Sequence, residues 1–208
     1  LGKFSEGLMA IGADLITFSG HKVYGPKGIA ALYVRSGTPL VPVTTGGSHE
    51  HGLRAGTENV AGIAGLAEAV SISLQQSAHE CRRSSTLRDH LERSVMSTIR
   101  GVKINGEHVQ RVPNTSSMSF RGIDGEAIVL GLDMQGICVS TGSACTTGEP
   151  EPSHVLLAMG LSRKEAQGTI RLSLGRDTSE EDIERTVAAL VHTVERLRCI
   201  SSAREDVE

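Results

Sequence analysis

The sequence has no tryptophan and only five aromatic residues, Phe4, Phe18, Tyr24, Tyr33 and Phe120, among 208. Its core must therefore be aliphatic. It also lacks a charge excess of the basic sign: 21 Lys+Arg face 24 Asp+Glu, for a formal net charge of −3. With no basic surplus to neutralise phosphates, a dedicated nucleic-acid binder is excluded. No apolar run approaches the ~18 residues that a membrane-crossing helix needs. The four cysteines, Cys81, Cys138, Cys145 and Cys199, include no pair separated by two residues, so the spacing of a structural zinc site is missing. They are expected to be free thiols in a reducing compartment, the cytoplasm or an organelle matrix. The chain opens on Leu1-Gly2-Lys3-Phe4 with no methionine, and is expected to be part of a longer protein. What is plentiful is glycine. Twenty-four of them imply many positions where backbone shape or close approach matters.

Strand and helix signals alternate, which points to an α/β protein. Asp14 to Phe18 is a mostly apolar run that reads as a buried strand, and Ile29 to Val34 reads as its partner across a Gly25-Pro26-Lys27-Gly28 turn. A glycine-rich loop, Gly46 to Gly52, leads through Arg54-Ala55-Gly56-Thr57 into a helix over Glu58 to Gln76, with Thr57 as the expected cap. A second helix is expected over His79 to Arg100, where Leu87, Leu91 and Val95 recur four apart. A domain boundary is placed between residues 72 and 82, giving domains 1–76 and 77–208. In the second, strands are expected at Val102 to Ile104, Thr115 to Phe120, Ile137 to Ser140 and Thr169 to Leu174. Asp124 caps a helix running to about Gln135. Thr178 to Glu181 reads as a capping box opening a last helix with Ile183, Val187, Leu190, Val191, Val194 and Leu197 on one stripe.

Three places carry candidate chemistry. Lys22 follows the first strand directly, within Ser19-Gly20-His21-Lys22. A strand-end lysine ordinarily reaches into water. Beside a glycine and a histidine it also suits a Schiff base to a carbonyl cofactor, with Ser19 and His21 donating to a phosphate. A phosphate-binding P-loop fits worse, because Pro26 stands where its lysine should follow Gly25. Cys145 sits in a run of small and turn-forming residues, Thr141 to Pro152, expected to be an exposed mobile loop. Structural cysteines are usually buried among apolar neighbours, as Cys138 is expected to be, with Cys81 or Cys199 similar on a helix. A thiol on a flexible tether suits a group carrier. Arg171 alternates with Ile170 and Leu172, and is either an edge-strand arginine in a surface ion pair or a two-pronged clamp on a carboxylate. His49 and His51 would share a face if extended, but no third metal ligand accompanies them.

Ser19 to Gly28, Gly46-Gly47-Ser48-His49-Glu50, Arg54-Ala55-Gly56-Thr57, Ser143-Ala144-Cys145-Thr146 and Ile170 to Arg176 together resemble the cysteine desulfurases, the NifS/IscS-like branch of the class V aminotransferases. The resemblance runs in order from Leu1 to about Leu197. Ser48 and His51 depart from the glycine and arginine of the family pattern. The fold implied is the pyridoxal-phosphate-dependent transferase fold type I, the aspartate aminotransferase-like α/β fold. Residues 1–76 would be the remainder of its large domain and 77–208 its small C-terminal α/β domain. The chain would correspond to roughly the second half of family members. Groups that hold the cofactor ring, among them an aspartate at its pyridine nitrogen, would lie in the other half, so that these 208 residues alone would bind cofactor weakly or not at all.

The resemblance also implies roles. Lys22 matches the lysine that forms a Schiff base with pyridoxal 5'-phosphate. Ser19, Gly20 and His21 match its phosphate-binding turn, and Thr57 the threonine that reaches the phosphate of a neighbouring subunit in a homodimer. Cys145 matches the nucleophile that takes sulfur from L-cysteine and holds it as a persulfide. Arg171 matches the ligand of the substrate carboxylate. The acceptor would be an iron–sulfur scaffold or a tRNA-thiolation partner, with no direct contact to nucleic acid or membrane. A selenocysteine lyase, or a non-catalytic partner protein, is the alternative.

Overall fold

The computed structural model describes residues 2–3, 8–141 and 152–205. The chain divides into two compact units, Leu1–Glu80 and Cys81–Glu208.

In the first unit, strands β1 (Leu15–Ser19) and β2 (Ala30–Val34) pair antiparallel, from Leu15 opposite Val34 to Ser19 opposite Ala30. β1 is not the buried strand its composition suggests. Leu15 and Leu32 are exposed, because among the described residues each strand has one neighbour and only one face is covered. That cover is the beginning of helix α1 (Val60–Thr98). Leu66 and Ala69 on α1 bury Val23 from the turn between the strands, with Phe18, Ile29 and Ala31 packed around them. Gly65 lets the turn come close, since a Cβ there would stand 2.6 Å from Pro26 Cγ. The cap of α1 is Asn59 rather than Thr57: the Asn59 side-chain oxygen accepts the Gly62 N–H at 3.0 Å.

α1 also joins what the sequence suggested were two helices. It runs for 39 residues without a break. From Leu66 to Arg100 there is neither glycine nor proline to stop it.

The second unit is a four-stranded antiparallel sheet in the order β3 (Val102–Ile104), β4 (Thr115–Phe120), β6 (Thr169–Ser173), β5 (Ser140–Thr141). Pairing in register puts Val102, Ile104, Met118, Phe120, Ile170 and Leu172 on one face. Against that face pack the Leu87–Leu91–Val95–Ile99 stripe of α1, Ile128 and Leu132 of α2 (Gly125–Asp133), and Ile183, Leu190 and Val194 of α5 (Glu180–Glu205). Burying each such aliphatic side chain contributes about 1.5–3 kcal/mol. Asp124 caps α2 through the Glu126 N–H at 2.8 Å, as its position predicts. The capping box of α5 is shifted by one residue: Ser179 Oγ accepts the Asp182 N–H, and Asp182 accepts from the backbone and hydroxyl of Ser179. Short helices α3 (His154–Ala158) and α4 (Arg163–Gln167) bury Leu156, Leu161 and Ala166 between them.

One buried polar cluster interrupts this unit. Glu92 of α1, itself buried, receives both Nη atoms of Arg111 at 2.8 and 3.0 Å and the Ser116 hydroxyl at 2.7 Å. The two-pronged pairing ties the segment before β4 to α1 and holds the Arg111 guanidinium above its usual range. The expected strand over Ile137 to Ser140 contracts to Ser140–Thr141, the only residues there that pair with β6. Cys138 therefore lies outside the strand and is exposed, not buried. Cys199 is exposed too, and Cys81 is half-buried. Among the described residues no helix is long and apolar enough to cross a membrane.

Candidate functional site

β1 delivers the chain to Ser19 in extended geometry, and Gly20–Val23 then closes one 3-10 turn. Gly20 donates to the Ile29 carbonyl at 2.9 Å, and Gly25 donates to the Gly20 carbonyl at 2.9 Å. Position 20 has no room for a side chain. A Cβ would stand 2.8 Å from the Pro26 carbonyl oxygen and 2.9 Å from Ile29 Cγ2. Tyr24 completes the turn at φ 62°, a left-handed geometry that costs a bulky residue on the order of 1–3 kcal/mol.

The local result is a division of labour along four residues. Val23 points into the small core under α1, while His21 and Lys22 are exposed. The Ser19 hydroxyl makes no capping hydrogen bond. Lys22 and His21 make no hydrogen bond or ion pair with the described residues. Among the described residues a hydroxyl, an imidazole and an amine are thus unspent within four residues of one hydrogen-bonded turn.

The glycine-rich loop that follows β2 is turned sharply, not extended. Glu50 and His51 adopt φ 49° and 57°, alongside Gly46, Gly52 and Gly56 at positive φ. His49 and His51 consequently lose the common face that an extended chain would give them. The His49 ring lies against Gly47, and its Nδ1 is buried without a hydrogen-bond partner. Among the described residues no group of three His, Cys, Asp or Glu could hold a metal ion. Thr57 is exposed, two residues ahead of the Asn59 cap.

Arg171 belongs to the second unit and is not on a sheet edge. β6 has β4 on one side and β5 on the other, and Arg171 stands opposite Ser117 and Ser140 in register. Its Nε is buried and has no partner. A surface ion pair is thereby excluded: no acid meets this arginine among the described residues. An unsatisfied guanidinium edge inside a sheet is a cost that a bound anion would remove. Ser117 and Ser140 did not stand out in the sequence, because only the register shows that they flank Arg171. Cys145 and its surrounding loop, residues 142–151, lie outside the described residues.

Comparison with known proteins gives these positions a family. Residues 3–186 match the sequence model of the aminotransferase class-V family. The chain belongs to this family. A cysteine desulfurase of a Nostoc species is 46% identical over 206 residues, covering 99% of this chain and 52% of that protein. The cysteine desulfurase IscS of Dictyoglomus turgidum is 44% identical over 196 residues, 94% of this chain and 50% of that one. Among solved structures, a NifS-like protein from Rickettsia africae superimposes with a TM-score of 0.83 at 33% identity, over 93% of this chain and 51% of that one. The fold is accordingly the α/β fold of NifS-like pyridoxal-phosphate enzymes. This class V aminotransferase chain spans about half the length of the curated relatives it matches.

The cofactor of the family is a phosphorylated aldehyde, and the residues at the end of β1 fit it. The Lys22 amine is the kind of group that an aldehyde would take, and the Ser19 hydroxyl, which makes no capping bond, and the His21 ring are the kind that would suit phosphate oxygens.

Proposed function

We propose that the chain carries the lysine, cysteine and arginine of a pyridoxal-phosphate-dependent cysteine desulfurase. The observation that supports this most is the 46% identity to a cysteine desulfurase over 99% of the chain. Lys22 on its fixed turn and Arg171, whose Nε is without a partner among the described residues, give that likeness a chemical sense.

Ser19 and His21 would hold the phosphate and Lys22 the aldehyde carbon, while Gly20, whose N–H is given to the Ile29 carbonyl, would only shape the turn. Thr57 reaches the phosphate bound by the second subunit of a homodimer. Bound there, pyridoxal phosphate supplies an electron-withdrawing ring that weakens the bonds at the substrate α-carbon. Arg171 grips the carboxylate of L-cysteine with two parallel N–H donors and so fixes which bond faces the reacting centre. The Lys22 amine, once free, takes and returns the α-proton. The Cys145 thiolate attacks the substrate sulfur: the carbon–sulfur bond breaks, a sulfur–sulfur bond forms on Cys145, and the substrate β-carbon takes up a proton to give L-alanine. The persulfide is then passed to an acceptor, an iron–sulfur scaffold or a tRNA-thiolation protein, in a reducing compartment such as the cytoplasm.

Replacing Cys145 separates these roles. In a full-length enzyme loaded with pyridoxal phosphate, Cys145→Ser is expected to abolish formation of alanine and sulfide from L-cysteine while leaving cofactor uptake at Lys22 intact. A serine variant that still forms alanine at the unaltered rate would contradict the reading.

A further inference from the structure

Away from Lys22 and Arg171, the second unit contains a pocket of about 580 Å³ that the desulfurase reading does not use. It opens between the start of β3, the end of β4 and the start of α4. Three cations from these three separate elements line it: Lys103, Arg121 and Lys164. A fourth, Arg198, stands beside its edge at Gly101, where its Nη2 would come within 3.5 Å of an added Cβ. One acid shares the pocket, Glu165. Its carboxylate is already engaged by the Ser162 backbone N–H at 2.9 Å and the Ser162 hydroxyl at 2.7 Å, and it meets Lys103 only at 3.7 Å. Arg121 and Lys164 have no ion-pair partner among the described residues.

This concentration is not a by-product of composition, because the whole chain carries net charge −3. Like charges held around a concavity repel one another, and a folded chain of acidic balance has acids to spare for pairing them. Here the one available acid is diverted into a helix cap. The volume is that of a small-molecule site, several times what a lone ion fills. Ammonium and guanidinium groups arranged around a cleft are the usual reading of phosphate oxygens. We propose that this pocket binds a small phosphate-bearing ligand, with Arg121 and Lys164 as its principal contacts and Lys103 released from Glu165 to join them.

The test is an amide NMR titration of the ¹⁵N-labelled full chain with inorganic pyrophosphate, repeated with citrate and with poly-L-glutamate. The proposal expects saturable shifts with pyrophosphate at the amides of residues 101–103, 119–122 and 162–165, weakened as sodium chloride is raised. Exposed charge pairs of this kind are each worth about threefold to fivefold, so Arg121→Gln and Lys164→Gln should each weaken binding by that factor. The triple change with Lys103→Gln should weaken it about 30- to 100-fold on the same count. Spectra away from the pocket report whether the variants remain folded, and the two single variants decide the matter if the triple one does not. No saturable shift at millimolar pyrophosphate overturns the proposal, as do shifts that the single variants leave unchanged. Tighter binding of citrate would replace phosphate by carboxylate as the ligand class and overturn it. Binding of poly-L-glutamate alone would make the pocket a docking surface for an acidic protein segment, and also overturn it.

Discussion

Arg171 should hold back the stability of this protein. Its Nε–H is buried in the middle of a sheet with no acceptor, between Ser117 and Ser140, and no carboxylate offsets its charge among the described residues. A buried donor left without a partner costs about 1–3 kcal/mol. Methionine matches the length and packing of the arginine stem but brings no donor and no charge. Arg171→Met is therefore expected to raise the free energy of unfolding by about 1–2 kcal/mol, the lower part of that range because the rest of the guanidinium is only half-buried. In a chain of this size that corresponds to a rise in Tm of about 2–8 °C. Urea unfolding followed by circular dichroism should show a higher midpoint with an unchanged slope. Under the proposed function, the same change in a full-length enzyme should cost the grip on the substrate carboxylate, about 2–4 kcal/mol or 30- to 1000-fold in kcat/KM. Stability gained and function lost together is what a binding residue held ready for a ligand produces. An Arg171→Met protein that is less stable by 1 kcal/mol or more would refute the reasoning, since the arginine would then be serving the fold.

Two other outcomes follow from polar groups on the page. Arg111→Leu leaves the buried Glu92 carboxylate with only the Ser116 hydroxyl, and should destabilise by about 3–5 kcal/mol in the same urea assay, whereas the double change with Glu92→Leu should recover most of it. Asp182 is held below its ordinary value of 3.8 by hydrogen bonds from the Ser179 backbone and hydroxyl. Its contribution to the start of α5 is thus present above that value and lost as pH falls through the lower folded value, so the Ser179 and Asp182 amide signals should move in acid, and Ser179→Ala, which keeps the backbone donor and loses only the hydroxyl, should move that titration part of the way back toward the ordinary value.

Much of the second unit is legible because local signals agree with one another. Asp124 and the Leu87–Leu91–Val95 stripe each specify an element, and the structure places them as the sequence predicts. Other signals compete. Ile137-Cys138-Val139 is apolar enough for a strand, yet only Ser140 and Thr141 find a partner in β6, and Cys138 is left exposed. Thr57 and Asn59 are both good caps, and Asn59 prevails because its side chain reaches the Gly62 N–H. A change of texture near residue 77 suggests a break between two helices, but no residue there can stop a helix, and α1 runs through. At the candidate site, the Ser19-Gly20-His21-Lys22 turn is readable because the close approach of Pro26 and Ile29 demands glycine at one fixed place. The unpaired state of Arg171 is not readable, because it depends on which strands flank β6, and that register is a property of the assembled sheet.

The central claim is that Lys22 is the amine on which pyridoxal phosphate sits. Borohydride reduction of the full-length protein loaded with pyridoxal phosphate, followed by mass mapping of its peptides, tests it directly. The account predicts a single phosphopyridoxyl mark on the peptide containing Lys22, absent from a Lys22→Ala protein. A mark on another lysine, or one spread evenly over several, would contradict it.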